Sequence, residues 1–212
     1  MNSKTTHEKL SPQQAIERLK EGNLRFTSGV RAVEPLLSHL RMRELAEKGQ
    51  KPFAIVLTCS DSRSPVEMIF DQGLGDLFVV RVAGNVVAPS LLASVEFAAA
   101  NFGSSAVVVL GHTRCGAVNA TISHVKDSSK PLPSLHLEEL VARIRPAVDR
   151  TSRECKIDDP DFLNLSTREN VLRSMRLIQE QSQIVRNLVT GGNITLHGAI
   201  LDIATGKVEF IE

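Results

Sequence analysis

The sequence predicts an α/β fold with a central, mostly parallel β-sheet, flanked by helices and with an antiparallel edge strand at the C-terminus. Three continuous apolar runs rich in β-branched residues, at 53–58, 77–82 and 106–110, are typical of strands buried on both faces. Helical patterns separate these runs, as in βαβ units with parallel strands. Two final short runs, at 194–201 and 208–211, flank a glycine-containing turn and predict a hairpin, which supplies the antiparallel edge.

The N-terminal part of the chain predicts two helices before the first strand. Ser11-Pro-Gln-Gln14 has a Ser at the N-cap, a Pro at the first helical position and a Gln three residues on. This signal predicts a helix over 12–26, and a second, highly charged helix is expected over 36–48. Residues 1–48 thus form an N-terminal helical arm, which we expect to pack away from the α/β core at 49–212, for example on a second subunit. The whole chain of 212 residues suits a single domain.

One short helix is predicted after the first strand. Ser64-Pro-Val-Glu67 repeats the capping signature, and we expect Met68, Ile69 and Phe70 to face inward from the helix that it opens.

A long helix is predicted near the C-terminus. Ser166-Thr-Arg-Glu169 is a further capping box, and apolar residues at helical spacing follow it as far as Gly191. The polar segment 150–165 before it is expected to be a loop. The remaining helices are expected at 91–102, 116–126 and 135–148.

The composition is that of an ordinary globular protein and argues against several classes of function. Hydrophobic residues make up 42% of the chain and charged residues 23%, and the net charge is +1. This balance gives no long-range field for a nucleic acid or an acidic membrane. No window approaches the ~18 apolar residues of a transmembrane helix, and the polar first residues lack a signal-peptide core. Three cysteines do not form a disulfide framework, so we expect a reducing, cytoplasmic location.

Soft metal ligands follow two of the predicted strands. The first run delivers Cys59, and the third is followed by Gly111-His-Thr-Arg-Cys-Gly116, which places His112 and Cys115 three residues apart. Ligands of parallel sheets bind beyond the carboxyl ends of the strands, so we expect these side chains to meet there. Two thiolates and an imidazole suit zinc, and three protein ligands rather than four are typical of a catalytic zinc site.

Other interpretations of these residues stay open at this point. A buried cysteine after a strand is often only a small apolar side chain, and an isolated His-x-x-Cys is a weak metal motif. Cys59 would also suit a nucleophile of the phosphatase kind, but that motif has five residues between Cys and Arg, whereas three separate Cys59 from Arg63. Cys155 lies in a charged segment and is interpreted as a bystander thiol.

Two motifs together resemble those of the β-class carbonic anhydrases. Cys59-Ser-Asp-Ser-Arg63 is followed by Gly111-His-Thr-Arg-Cys-Gly116, in which His112 lies 53 residues after Cys59. The similarity continues through residues 70–85 and covers most of 45–120. The two motifs are highly specific as a pair.

The resemblance implies a zinc enzyme with a defined site. The family's zinc ligands correspond to Cys59, His112 and Cys115, with one zinc ion per subunit, and its catalytic Asp–Arg pair corresponds to Asp61 and Arg63. In a closed state of the family the aspartate itself binds zinc, so Asp61 is also a candidate metal ligand. The family's substrate-binding residues correspond to Gln50, Phe78, Phe97 and Gly116. The implied reaction is the reversible hydration of CO2 to bicarbonate and a proton by attack of a zinc-bound hydroxide, in a homodimer or homotetramer without a nucleic-acid or membrane partner.

Two departures from the family pattern narrow these expectations. Phe97 replaces a tyrosine of plant-type members, which removes a hydroxyl from the pocket wall. The bacterial members that bicarbonate inhibits allosterically use a Trp, an Arg and a Tyr, and this chain has neither Trp nor Tyr, so we expect no cooperative inhibition. Two other functions remain compatible with the residues: hydrolysis of carbonyl sulfide or carbon disulfide, and non-catalytic zinc binding with Asp61 closing the site.

Overall fold

A computed structural model describes residues 9–30 and 39–211 of the protein and confirms the α/β fold. The strands are β1 (Ala54–Thr58), β2 (Leu77–Arg81), β3 (Ala106–His112), β4 (Thr195–Leu201) and β5 (Val208–Ile211). They form a sheet in the order β2-β1-β3-β4-β5. The first four strands are mutually parallel where they pair, and β4 with β5 forms the expected antiparallel edge.

Among the described residues, helices pack against both faces of this sheet. They are α1 (Pro12–Thr27), α2 (His39–Lys48), α3 (Val66–Ile69), α4 (Pro89–Asn101), α5 (Gly116–Lys126), α6 (Leu135–Thr151), α7 (Phe162–Gln181) and α8 (Gln183–Thr190), with a 3-10 turn at Ala83–Asn85. The capping box predicted at Ser11 is present. The first residues of the predicted second helix, 36–38, lie outside the described residues. None of the described helices is long and apolar enough to cross a membrane.

Both faces of the sheet are covered, which explains why its central strands are continuously apolar. Every residue of β1 and β3 is buried. One face packs against α1 and α3, and the other packs against α4, α7 and α8. A third apolar cluster contains Cys59 and Cys115 together with residues of α5 and α6. The candidate metal ligands are therefore part of the packed interior.

Helix α1 packs against the core of its own chain, so the expectation that it packs elsewhere is wrong. Its apolar residues Ala15, Ile16 and Leu19 are buried in the same cluster as the residues of β1 and α3. Arg25 pairs at 2.6 Å with the fully buried carboxylate of Asp71. An amphipathic pattern predicts that a helix buries one face, but it does not say which core that face meets.

Replacing Asn23 with alanine is expected to lower the free energy of unfolding by about 2–4 kcal/mol, because backbone groups would lose their buried partner. The Asn23 amide donates to the carbonyl oxygens of Ile69 and Gly206 at 3.1 and 2.8 Å, and it accepts from the N–H of Val208 at 2.8 Å. Urea denaturation measures the change. Asn119→Ala, on the exposed side of α5, is the control and should change stability by less than about 0.5 kcal/mol. An equally small effect of Asn23→Ala would contradict the docking of α1.

The predicted start of the short helix α3 is only partly right. No side chain caps this helix, and the hydroxyl of Ser64 instead donates to the carbonyl oxygen of Asp61 at 2.9 Å. Ile69 and Phe70 are buried as expected, but Met68 is 41% exposed. Ser64 therefore stabilises the loop before α3 and is not the helix cap that the sequence pattern predicts.

The segment 150–165 is not a loop throughout, because α7 begins at Phe162 and α6 extends into its start. Phe162 is 2% exposed, so tertiary burial extends α7 N-terminal to the capping box predicted at Ser166. The long helix expected to reach Gly191 is also two helices. Ser182 separates them with extended backbone angles, φ −100° and ψ 106°.

Candidate metal centre

The register of the sheet brings the candidate ligands to one edge. β1 and β3 are parallel neighbours in which Thr58 pairs with Leu110, so Cys59 and His112 emerge together at the carboxyl edge. Cys115 follows a short turn and immediately precedes α5. The ligand atoms of Cys59, His112 and Cys115 lie within 4.8 Å of one another, and all three residues are buried.

The imidazole of His112 is oriented with one nitrogen free for a metal. Its Nδ1 lies 2.9 Å from the carbonyl oxygen of Thr113, and a carbonyl only accepts, so Nδ1 carries the hydrogen. Nε2 is buried and has no hydrogen-bond partner among residues 9–30 and 39–211. A buried nitrogen lone pair without a partner is costly, and an imidazole fixed through Nδ1–H is a common form of zinc ligand.

The two thiols of the cluster are held close together. The N–H of Gly84 donates to Cys59 Sγ at 3.3 Å. Gly84 has φ +69°, and a Cβ there would lie 2.7 Å from a methyl group of Ile144, so glycine permits this approach. Hydrogen bonding from Cys115, together with the Gly84 amide, lowers the pKa of Cys59, whereas the neighbouring Cys59 and burial raise the pKa of Cys115. A divalent cation would let both thiols ionise, so these residues fit zinc.

Asp61 and Arg63 form a two-point ion pair beside the cluster. Arg63 Nε and Nη2 donate to the two carboxylate oxygens of Asp61 at 2.9 and 2.6 Å, and the backbone N–H of Arg63 adds a bond of 2.9 Å. The Arg63 guanidinium holds the pKa of Asp61 well below its usual range. Asp61 Oδ2 also lies 3.9 Å from His112 Nε2. The role of Asp61 as a metal ligand stays a prediction, which would require this ion pair to open.

Arg81, which the sequence motifs do not single out, holds the backbone that carries these residues. Its Nη2 donates to the carbonyl oxygen of Asp61 at 2.7 Å and its Nε to that of Cys59 at 3.2 Å. Arg81 is the last residue of β2 and pairs with Thr58 of β1. The sequence did contain a signal for this role, because Arg81 is a charged residue at the end of a strand predicted next to the one that leads to Cys59. Gly84 was missed as well, although a glycine soon after that strand was a second signal.

Comparison with known proteins identifies the family. Residues 54–208 match the family model described as carbonic anhydrase. The chain is 35% identical over 199 residues to carbonic anhydrase 2 of Mycobacterium tuberculosis. The aligned region covers 93% of this chain and 91% of that relative. It is 33% identical over 203 residues to the carbonic anhydrase of Mycolicibacterium smegmatis, with coverage of 94% and 93%.

Solved structures extend the comparison to the fold. The β-carbonic anhydrase CcaA matches with a TM-score of 0.69 at 25% identity, over 93% of this chain and 95% of that chain. The chain belongs to the β-class carbonic anhydrase family. A structure of the tetrameric β-carbonic anhydrases of Sordaria macrospora has the same fold, with a TM-score of 0.70 at 23% identity over 80% of this chain and 85% of that chain. Carbonic anhydrases are lyases, and hydration of carbon dioxide is their general reaction.

Of the predicted pocket residues of this β-carbonic anhydrase, Gly116 is placed next to the metal ligands. It follows Cys115 directly and is the first residue of α5. Phe78 is placed at the opposite end of the sheet, because it pairs with Ile55 of β1. Ile55 lies four positions before Cys59, which corresponds to about 13 Å along a strand.

Phe97 and Gln50 also lie away from the metal ligands of the same chain. The ring centroids of Phe97 and Phe78 are 6.4 Å apart, and Phe102, which is not among the predicted pocket residues, packs against both. Phe97 is 53% exposed. Gln50 is exposed and precedes β1, so it too lies toward the amino end of the strands. Within a single chain, Phe78, Phe97 and Gln50 therefore lie away from the metal-ligand cluster, although the family resemblance assigns them to the pocket around it.

Zinc binding to this site is expected to release at least one proton and to strengthen as the pH rises from 6 to 8. The pKa of Cys115 is raised by Cys59 and by burial, so its thiol keeps its proton near neutral pH until a metal displaces it. Lower pH favours the protonated thiol and therefore weakens binding. Calorimetry in buffers of different ionisation enthalpy measures the proton count. Binding that is independent of pH would contradict the assignment of two thiolate ligands.

Proposed function

We propose that this chain catalyses the reversible hydration of CO2 to bicarbonate and a proton, with one zinc ion held by Cys59, His112 and Cys115. The observation that carries the proposal is the three-ligand cluster next to the ion pair of Asp61 and Arg63. Three protein ligands leave a fourth position for water, as catalytic zinc sites require. Family membership supports the reaction, and the geometry of the site supports these roles.

The residues beside the metal position would orient the reacting groups. Zinc, when bound, lowers the pKa of a coordinated water so that hydroxide is available near neutral pH. Asp61 accepts a hydrogen bond from the attacking oxygen and so directs a lone pair toward the carbon of CO2. Arg63 keeps Asp61 ionised and fixed through its two-point contact. The N–H of Gly116, at the start of α5, donates to an oxygen of the developing bicarbonate.

We propose that a second copy of the chain completes each pocket. β2 is an edge strand of the sheet, and Phe78 lies on it next to the half-exposed Phe97. In a homodimer or homotetramer, Phe78 and Phe97 of one copy would form an apolar wall for an uncharged substrate at the site of another, and Gln50 would bind an oxygen of bicarbonate. Because Phe97 has no hydroxyl, this wall would act through its apolar surface alone. The tetrameric state of the Sordaria macrospora enzymes, which have the same fold, supports assembly of this chain into a homo-oligomer.

Stopped-flow CO2 hydration by the zinc-loaded enzyme between pH 6.5 and 9 tests the proposal. Activity is expected to rise with pH. The lowered pKa of Asp61 keeps it ionised throughout this range, so the rise would report the ionisation of the water. Two thiolates neutralise the charge of zinc, so we expect the midpoint to lie above the ~7 of a three-histidine site. Absence of activity at every pH would instead indicate a non-catalytic zinc-binding protein in which Asp61 closes the site.

The substrate alternative needs its own comparison, because carbonyl sulfide and carbon disulfide undergo the same attack on a linear molecule. Rates on CO2 and carbonyl sulfide, measured side by side with one enzyme preparation, separate the two. A larger kcat/KM for carbonyl sulfide would favour the hydrolase.

Bicarbonate is expected to inhibit with a hyperbolic, non-cooperative dependence at mildly acidic pH. The chain lacks the Trp and Tyr of the allosteric site in the inhibited bacterial members. Initial rates over a range of bicarbonate concentrations at fixed ionic strength measure the curve. A sigmoidal curve would show that inhibition here uses other residues.

We also propose a cytoplasmic location. Cys59, Cys115 and Cys155 are free thiols, and a zinc site with two thiolates is maintained most readily in a reducing compartment. Immunofluorescence or cell fractionation would test this.

A further inference from the structure

A small pocket lies between α6, α7 and the segment that joins β2 to α4, and the proposed reaction does not use it. Its volume is about 90 Å³, which is room for a group of a few heavy atoms. Its polar lining consists of Arg143, Asn170, Arg173, Ser174 and Gln181. The rest of the lining is apolar. The pocket is therefore small, with one polar side and one apolar side.

The pocket contains two positive charges and no negative one. Within the described residues, neither Arg143 nor Arg173 forms an ion pair with a carboxylate. Arg143 Nη1 donates to the carbonyl oxygen of Val87 at 3.2 Å, which leaves its other donors available. Arg173 Nε is buried and has no hydrogen-bond partner in those same ranges. A buried guanidinium nitrogen without a partner is costly, and an anion in the pocket would remove that cost.

We propose that this pocket binds inorganic phosphate or another small tetrahedral oxyanion such as sulfate. Guanidinium groups match the oxygens of such anions with paired, charge-assisted hydrogen bonds. A doubly charged anion would balance Arg143 and Arg173 together. The volume admits an ion of this size and excludes a nucleotide.

Two polar residues of the pocket, Asn170 and Ser174, also hold the turn at Ala83–Asn85, which contacts the candidate metal ligand Cys59. Asn170 Nδ2 donates to the carbonyl oxygen of Gly84 at 2.8 Å, and Ser174 Oγ donates to that of Asn85 at 3.0 Å. The N–H of Gly84 in turn donates to Cys59 Sγ at 3.3 Å. An anion bound beside Asn170 and Ser174 would restrict the motion of these side chains and therefore of the turn at Ala83–Asn85. The bound anion thereby stabilises the donor to Cys59 and slows the loss of metal.

Calorimetric titration of inorganic phosphate into the zinc-loaded protein, at pH 7.5 and constant ionic strength, tests the site. We expect saturable binding to the wild type, and affinity at least about tenfold weaker in R143Q and in R173Q, which corresponds to ~1.4 kcal/mol or more. The two arginines lie on different helices, so one variant keeps the test valid if the other does not fold. Phosphate should also slow zinc transfer to a chelator in the wild type and not in R173Q.

Matched controls separate this pocket from a general effect of charge. R145Q on α6 and R176Q on α7 each remove one exposed positive charge close to the pocket residues, and both should bind phosphate within about twofold of the wild type. Phosphate affinity that is unchanged in R143Q and R173Q would overturn the proposal. An equal loss in R145Q and R176Q would overturn it as well. Neither readout depends on turnover, so the proposed function can fail while this site is confirmed, or the reverse.

Discussion

Replacing Asp61 with asparagine is expected to leave zinc bound and to reduce kcat for CO2 hydration by about 10²- to 10⁴-fold, the range typical of a group that handles a proton in the transition state. Asparagine keeps the size of the side chain but removes its charge and one of its acceptor oxygens. The two-point contact with Arg63, at 2.9 and 2.6 Å, would be lost with it. The attacking oxygen would then lack both its acceptor and a fixed direction.

Stopped-flow rates and zinc content must be measured on the same preparation of the Asp61 variant. Ser62→Ala is the matched control, because Ser62 is exposed between Asp61 and Arg63 and should leave the rate within about twofold of the wild type. Turnover equal to that of the wild type in a zinc-replete Asp61→Asn enzyme would remove Asp61 from the mechanism. A variant that loses its zinc would instead assign Asp61 to the metal.

Replacing Cys115 with serine is expected to remove zinc from the purified protein and to abolish CO2 hydration. Cys115 is fully buried and immediately precedes α5, so no neighbouring thiol can move into its place without rearranging the start of the helix. The loss of zinc affinity should exceed the roughly 10- to 100-fold that removal of an outer hydrogen-bond partner costs. Metal analysis by mass spectrometry and stopped-flow assays measure the two effects.

Cys155 provides the control for that experiment, because it is the third cysteine of the chain and is not one of the clustered ligands. Cys155→Ser should bind one zinc ion and retain full activity. If Cys115→Ser kept stoichiometric zinc, or if Cys155→Ser lost it, the assignment of the ligands would be wrong.

The sequence predicted those elements whose limits depend on local chemistry. β1 and β3 are buried on both faces, so they are continuous apolar runs that can be located from the pattern alone. α5 was predicted at 116–126 and is observed there. The start of α7 was missed because the burial of Phe162, a tertiary effect, outweighs the capping pattern at Ser166. The position of α1 was missed because its apolar face does not specify the surface that it meets.

The same distinction applies to the candidate site. Ligand type and spacing pointed to Cys59, His112 and Cys115, and the parallel register explains why they meet. Arg81 and Gly84 were not predicted because they act through hydrogen bonds of backbone groups, for which a charge at a strand end or a glycine soon after it is only a weak signal in a sequence. The family resemblance selected Phe78 as a pocket residue, but only the register shows that it lies on β2 opposite Ile55, at the end of the strands away from Cys59.

The adjacency of β1 and β3 also determines when a metal could be captured during folding. Cys59 and His112 are 53 positions apart in the sequence, and they become neighbours only after the intervening segment, which contains α3, β2 and α4, has folded back and the parallel strands have paired. Parallel pairing of this kind has a high contact order and forms slowly. Zinc would therefore enter a nearly complete sheet rather than act as a template for it. In stopped-flow refolding, we expect the sheet to form at the same rate with or without zinc, and the metal to affect mainly the rate of unfolding.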